Sequence, residues 1–305
     1  MSLVTLFSAP KPFTDPHIAL IQRNAIQSWT RLPDVAIILL GDEPGLAQTA
    51  RELGVRHILK LERNSKGTPL LSSMFELARH DTDSPLLCAV NADMILLQDL
   101  VDAARAVAQL RDTFVLLSRR WDLQLVRPLE FTNGWQSALR ATVAREGTLH
   151  RPAGSDYFLF PRSCFEDVPP FAIGRGGWDN WMIYEARRQG WPVIDCTPSV
   201  LVVHQAHNYG HLPGGEPHYT SAETAENIRL AGGQAVVRYT IVDASHRLVA
   251  GRLRPPLLSR MRLERGLEIF LRRLFFFLPE GRIESLVRPK RWRKRLRNLI
   301  GNRRP

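Results

Sequence analysis

Residues 84–99 read SPLLCAVNADMILLQD, and the reading of this stretch decides the fold. An apolar run from Pro85 to Val90 stops at Asn91-Ala92-Asp93, and a second apolar run, Met94 to Leu97, follows at once. A short apolar run bounded by turn-forming residues reads as a buried strand. The polar break then stands at the strand's carboxyl end, the edge at which open α/β sheets bind ligands. A carboxylate beside an amide oxygen suits a hard divalent cation, Mn2+ or Mg2+, which shares its ligands with a diphosphate. The alternative is a plain turn, since Asn and Asp are common turn formers.

On either side of this stretch, short apolar runs alternate with helical periods. Strands are expected at Leu3–Phe7, Val35–Leu40, Ile58–Leu61, Leu86–Val90 and Phe114–Leu117. Helices are expected at Ile18–Trp29, Leu46–Leu53, Leu70–Ala78 and Leu100–Leu110. Such alternation predicts an α/β fold, a Rossmann-type, mostly parallel sheet flanked by helices. Beyond residue 120 the pattern loosens: helices at Trp135–Arg145, Asp179–Gln189 and Ala222–Leu230, strands at Tyr157–Phe160, Val193–Asp195 and Val200–His204, and a polar loop over 205–220.

The chain of 305 residues carries a formal net charge of +11, but the charge is localised. Residues 251–305 hold 17 Lys/Arg and 4 Asp/Glu, a net of +13, which leaves −2 for the first 250. A basic tail on a near-neutral body argues against a nucleic-acid groove through the fold. In the tail, Leu263, Leu267, Phe270, Leu271, Leu274, Phe277 and Leu278 share a helical face flanked by arginines, and Trp292, Leu296, Leu299 and Ile300 repeat the pattern. A basic amphipathic helix of this kind either lies on an anionic membrane surface or packs on the body. No stretch reaches the roughly 20 apolar residues of a membrane span. The opening MSLVTLFSAPKPF reads as a strand and not as a signal peptide. Cys88, Cys164 and Cys196 are far apart and read as reduced core thiols, so a cytoplasmic setting is expected, with the membrane reading of the tail placing it on the inner membrane face.

Candidate site residues follow the expected sheet edge. Pro10 and Lys11 sit in the loop after the first strand, where they can lie along a nucleotide diphosphate. Asp42 and Glu43 end the second strand, placed for a ribose hydroxyl or a base edge. Asn64 and Lys66 belong to a polar loop with Arg63 and Thr68. No glycine-rich phosphate cradle is present, so metal and Lys/Arg must hold phosphate. In FAIGRGGWDNW, residues 171–181, Trp178 offers a flat platform for a sugar ring and Asp179 a general base, or else a helix cap. His204, at the end of an apolar run, is a candidate metal ligand ahead of His207 and His211. Arg119, Arg120, Trp121 and Asp122 are placed for sugar hydroxyls or phosphate, and Asp156 for a donor-sugar contact.

Together the strings TLFSAPKPF, IQRNAIQSW, LGDE, GTPLL, VNADMIL, RRWDL, DYFLFPR, GWDNW and VVHQAHNYGH resemble the GT-A class of nucleotide-sugar glycosyltransferases, over about residues 3–245. More narrowly they look like a group of family 2-like members found in bacteria and plants. The resemblance implies Asp93 as metal ligand, His204 as a further ligand and Asp179 as base. Asn91 departs from the Asp of many members, and a neutral residue there weakens metal binding. The expected organisation is a GT-A-like domain over 1–245, with 1–120 as nucleotide-binding half and 121–245 as acceptor half, and a basic amphipathic extension over 246–305. The expected activity is metal-dependent sugar transfer from a nucleoside diphosphate to a glycan or lipid-linked acceptor, with inversion. The alternatives are a sugar nucleotidyltransferase and a non-catalytic scaffold that binds membrane or nucleic acid.

Overall fold

The computed structural model describes residues 1–206 and 221–274. In chain order its elements are β1 (Val4–Ser8), α1 (Pro16–Thr30), β2 (Val35–Leu40), α2 (Leu46–Leu53), β3 (Arg56–Ile58), α3 (Leu71–His80), β4 (Leu86–Val90), β5 (Met94–Ile95), α4 (Gln98–Ala108), β6 (Val115–Leu117), β7 (Trp121–Leu123), α5 (Trp135–Glu146), β8 (Thr148–Leu149), β9 (Tyr157–Pro161), α6 (Trp178–Arg188), β10 (Val193–Asp195), β11 (Val203–Gln205), α7 (Ala222–Leu230), β12 (His246–Val249), β13 (Arg252–Arg254) and α8 (Arg260–Leu274). The chain divides into two units between Pro255 and Pro256.

The first unit is built on a nine-stranded sheet of order β13-β12-β10-β6-β9-β4-β1-β2-β3. Strands β3, β2, β1 and β4 are parallel, and β9 runs antiparallel between β4 and β6. Strands β6, β10 and β12 are again parallel, with β13 antiparallel at the edge. Alternate residues of each strand face opposite sides. Val4, Leu6, Ile37, Leu39 and Leu86 join Trp29 of α1, Leu46 of α2 and Leu100 of α4 in one core. Phe7, Ile38, Leu40 and Leu87 join Phe75 of α3 and Met182 of α6 in the other. A sheet buried on both faces explains why its strands read as unbroken apolar runs.

Local signals set the helix ends. Asp15 caps α1, its carboxylate accepting the Ile18 N–H at 2.9 Å, and Pro16 occupies the first helical turn. Gly54, at φ +65°, closes α2 in the left-handed conformation that favours glycine.

Three features depart from the sequence reading. Strand β3 ends at Ile58 where Ile58–Leu61 was expected, because pairing with β2 aligns Ile38 with Arg56 and Leu40 with Ile58. The expected strand at Val200–His204 begins only at Val203. Upstream, the Val200 N–H bonds the Cys196 carbonyl and the Leu201 N–H bonds the Asp99 carboxylate. Residues 246–254, expected to begin the extension, form two strands of the main sheet, and the first unit therefore runs to Pro255.

A smaller sheet, of order β5-β11-β7-β8, was not foreseen. Its strands are two or three residues long, too short for a period to show. It packs Ile95, Leu123 and Val203 against Leu139 and Val143 of α5. Cys88, Cys164 and Cys196 are buried and unbridged. Among the described residues no helix is long and apolar enough to cross a membrane.

Candidate active site

The chain leaves the main sheet at the end of β4 and enters the smaller one at β5, and Asn91-Ala92-Asp93 is the turn between them. The Met94 N–H closes the turn on the Asn91 carbonyl at 3.2 Å, and the Asn91 N–H bonds the Asp156 carbonyl at 2.9 Å. Trp29, fully buried, donates its indole N–H to the Met94 carbonyl at 2.8 Å. Gln205, also fully buried, donates from Nε2 to the carbonyls of Asp93 at 3.1 Å and Ile21 at 2.7 Å. Its Oε1 accepts from Asn24 Nδ2 at 3.0 Å. Buried polar groups satisfied in this way hold a backbone in one place, because breaking any bond strands a group in a low dielectric.

A cleft of ≈ 470 Å³ opens over this turn, along the carboxyl ends of β1, β2 and β4. Pro10, Lys11, Glu43, Asn91, Asp93, Asp156 and His204 all line it, as do Arg63, Arg120 and Arg175. Gln22 of α1 clamps the β1 loop through both Lys11 backbone groups, at 2.6 and 2.9 Å. Burial lowers the Lys11 pKa, and the Asp93 carboxylate opposes that shift. Arg63 joins Glu43 at 2.8 Å and Asp42 at 2.5 Å.

Charged groups of the cleft belong to one network that continues to Asp122 and His150 beyond its lining. Asn91 Nδ2 donates to Asp156 Oδ1 at 2.9 Å, and Arg120 reaches Asp156 Oδ2 at 2.5 Å and Asp122 Oδ1 at 3.1 Å. His204 Nδ1 lies 3.1 Å from Asp122 Oδ1, and His204 Nε2 lies 3.9 Å from Asp93 Oδ2. His150 Nδ1 approaches Asp122 Oδ2 at 2.6 Å. Burial works to raise the Asp122 pKa, but the hydrogen bonds of His204 and His150, with the Arg120 charge, hold it well below the usual carboxylate range. Burial likewise works against the Arg120 charge and is outweighed by Asp156, Asp122 and Asp93.

Asp179 lies in the first turn of α6, beside Asp156. Burial raises its pKa to about 6, and the Asp156 charge adds to the rise. The nearby backbone amides of Asn180, Ser155 and Gly177 limit the shift. A carboxyl group poised near neutrality is the kind used for proton transfer.

Five expected site residues lie elsewhere than expected. Trp178 is 7 % exposed and packs edge-on to Phe158 at 5.6 Å, so its ring is core and offers no platform. Its place in α6 turns it under the sheet with Trp181 and Met182. Asn64 shapes its own loop: Oδ1 accepts the Lys66 and Thr68 N–H groups, and Nδ2 donates to Glu223 at 2.8 Å. Lys66 is exposed outside the cleft, and Asp42 is exposed against Arg63. Asp179 is not among the residues that line the cleft. His207 and His211 lie outside the described residues.

Gln22, Gln205, His150 and Arg175 escaped the sequence reading. Gln22 and Gln205 are glutamines inside apolar periods, and such buried amides are the one signal available for them. His150 carries no local signal, because only the antiparallel pairing of β7 with β8, on the far side of α5 in the chain, brings it to Asp122. Arg175 sits in the glycine-rich string and pairs with Glu223 at 2.8 Å.

No protein-family model and no curated protein matches the chain. Among solved structures it is similar to a mannosyltransferase from Pyrobaculum calidifontis in complex with GDP-Man and Mn2+, at 16% identity and a TM-score of 0.43. That alignment covers 68% of this chain and spans only 58% of the mannosyltransferase. It is also similar to S. aureus TarS in complex with UDP-GlcNAc, at 14% identity and a TM-score of 0.48, over 91% of this chain and 73% of the other. A third is glucosyl-3-phosphoglycerate synthase from Mycobacterium tuberculosis in complex with Mn2+, UDP and phosphoglyceric acid, at 15% identity and 0.47, over 76% and 79%.

The Asn91 amide is needed as a donor to Asp156. Asn91→Asp replaces that bond with two adjoining carboxylates, so folding stability at pH 7 falls by about 1–3 kcal/mol. The deficit shrinks on acidification, because protonating either carboxylate removes the repulsion. Urea denaturation of both proteins across pH checks this; equal stability at every pH contradicts it.

Proposed function

We propose that the protein is a metal-dependent glycosyltransferase that moves a sugar from a nucleoside diphosphate to a glycan or lipid-linked acceptor, with inversion at the anomeric carbon. The observation that supports this reading is the meeting of Asp93 and His204, 3.9 Å apart, beside Lys11 and Arg120 in one cleft. The separation is below twice a metal–ligand bond of about 2.1 Å, so one cation fits between Asp93 Oδ2 and His204 Nε2. An oxygen and an imidazole nitrogen form a donor set that Mn2+ accepts. Among the described residues no group of three His, Cys, Asp or Glu is arranged to hold a metal. Diphosphate oxygens and water would supply the other ligands, as in metal sites built around a phosphate. When bound, the cation neutralises charge on the departing diphosphate.

The chain's own residues do the rest. Lys11 and Arg120 place positive charge along the cleft wall, and Glu43 stands at the β2 end for a hydroxyl of the nucleoside. Asp179 does not line the cleft, so it serves an acceptor that enters from the α6 side, taking the proton from the acceptor hydroxyl as that oxygen attacks the anomeric carbon and the bond to the diphosphate breaks. Asp156 lies nearer the cleft, but both its oxygens are engaged by Asn91 and Arg120, which leaves it a poorer base.

The direct test is a thermal-shift screen of UDP-, GDP- and TDP-sugars with Mn2+. One of them raises the melting temperature, since ligand binding to the folded state alone stabilises it. Asp93→Ala abolishes the metal-dependent part, and no shift with any nucleotide sugar refutes the reading.

Asp179→Asn lowers turnover at least about 100-fold while nucleotide affinity stays close to wild type. Wild-type kcat/KM falls as pH drops through about 6. The stability linked to the raised Asp179 pKa is fully present below the unfolded value of 3.8 and is lost as pH rises through about 6. Asp179→Asn therefore stabilises the fold by about 1–2 kcal/mol at pH 8. Wild-type turnover in the variant removes Asp179 as the base.

We also infer a docking role for the second unit. On α8, Leu263, Leu267, Phe270 and Leu274 recur at helical spacing and are 49–60% exposed. The net charge of +13 over residues 251–305 complements an anionic lipid surface. The apolar positions from Phe277 onward lie outside the described residues. In flotation assays the protein rises with vesicles containing anionic lipid and stays behind with neutral ones; equal recovery in both refutes the electrostatic part.

A further inference from the structure

We propose that Asp122, held between His204 and His150, is the positioning residue that keeps the Nε2 of His204 available to a cation. This rests on the reading that Asp93 and His204 hold the metal. In the smaller sheet His204 is the register partner of Asp122 on one side and of Met94, next to Asp93, on the other. The ring is thus delivered by backbone pairing to a point between two carboxylates. Asp122 Oδ1 is 3.1 Å from His204 Nδ1, within hydrogen-bond reach, whereas Asp93 Oδ2 is 3.9 Å from Nε2, beyond it.

An ionised carboxylate only accepts hydrogen bonds, so the nitrogen facing Asp122 carries the proton. In the neutral ring this leaves the lone pair on Nε2, on the Asp93 side. Without Asp122 the ring is free to take the other tautomer, with an Nε2–H directed at Asp93, and that state competes with a cation. His150 engages the second oxygen of Asp122 at 2.6 Å, and Arg120 Nε adds a bond to Oδ1 at 3.1 Å. The carboxylate is therefore held from three sides and cannot turn away from His204. Partners that hold a metal-ligating histidine in this way affect metal affinity about 10–100-fold.

The test uses the full chain and Mn2+ alone, titrated by electron paramagnetic resonance. Asp122→Ala weakens Mn2+ binding 10–100-fold. Asp122→Asn, whose amide oxygen accepts from only one of the two rings, gives a smaller loss and guards against misfolding of the alanine variant. In a His204→Ala background neither substitution weakens binding further. In the metal-free protein, nitrogen-15 spectra of the imidazole rings show His204 protonated at Nδ1 in wild type and shifted toward the Nε2–H form in Asp122→Ala. Unchanged affinity, an equal loss in both backgrounds, or an unchanged tautomer overturns the role of Asp122. A wild-type protein that takes up no Mn2+ overturns the metal reading itself, and this role with it.

Discussion

The structure depends on how one turn is held. At Asn91–Asp93 the chain passes from the nine-stranded sheet to the four-stranded one, and its backbone is tied to α1 through Trp29, to β11 through Gln205 and to the start of β9 through Asp156. Each tie is a hydrogen bond in a buried setting, where an unmet partner costs about 1–3 kcal/mol. The Asp93 side chain is therefore presented by a frame and not by a mobile loop. A carboxylate on a backbone fixed in this way has little conformational entropy left to lose.

The same turn organises the charges. Asp93 and Asp156 line the cleft with Asp122 joined to them, and Arg120 bridges Asp156 and Asp122 while Asn91 donates to Asp156 and the two histidines meet Asp122. Asn91 illustrates the constraint. Read alone, it is a weakened version of an acidic ligand; in place, it is the donor that lets Asp156 remain an acceptor. Asp179 is treated differently. It is kept at the edge of the network, with burial and the nearby Asp156 raising its pKa, which suits proton exchange better than holding charge.

Much of the fold was legible because the main sheet is buried on both faces. Its strands read as apolar runs and its helices as apolar periods, so β2, α2, β4, β10 and α7 fall at the residues expected. Edge strands and most of the two- and three-residue strands of the smaller sheet were not legible. Arg56 and His57 of β3, and all of β5, β7 and β8, follow from pairing and carry no period of their own. The site divides along the same line. Lys11, Glu43, Asn91 and Asp93 stand at the ends of readable strands, and all four line the cleft. Trp178 was misread because an aromatic beside a carboxylate looks alike in a core and in a cleft.

By itself, the sequence determined that a buried sheet edge would carry Asn91 and Asp93, that Lys11 and Glu43 would share that edge, and that positive charge would gather after residue 250. These follow from local composition and from the alternation of apolar residues. Tertiary structure alone decided that His204 faces Asp93, that Asp122 stands between two histidines 54 residues apart in the chain, and that Trp178 lies beneath the sheet. Those contacts depend on strand register across the smaller sheet, and register is a property of pairs of distant segments that no single segment encodes.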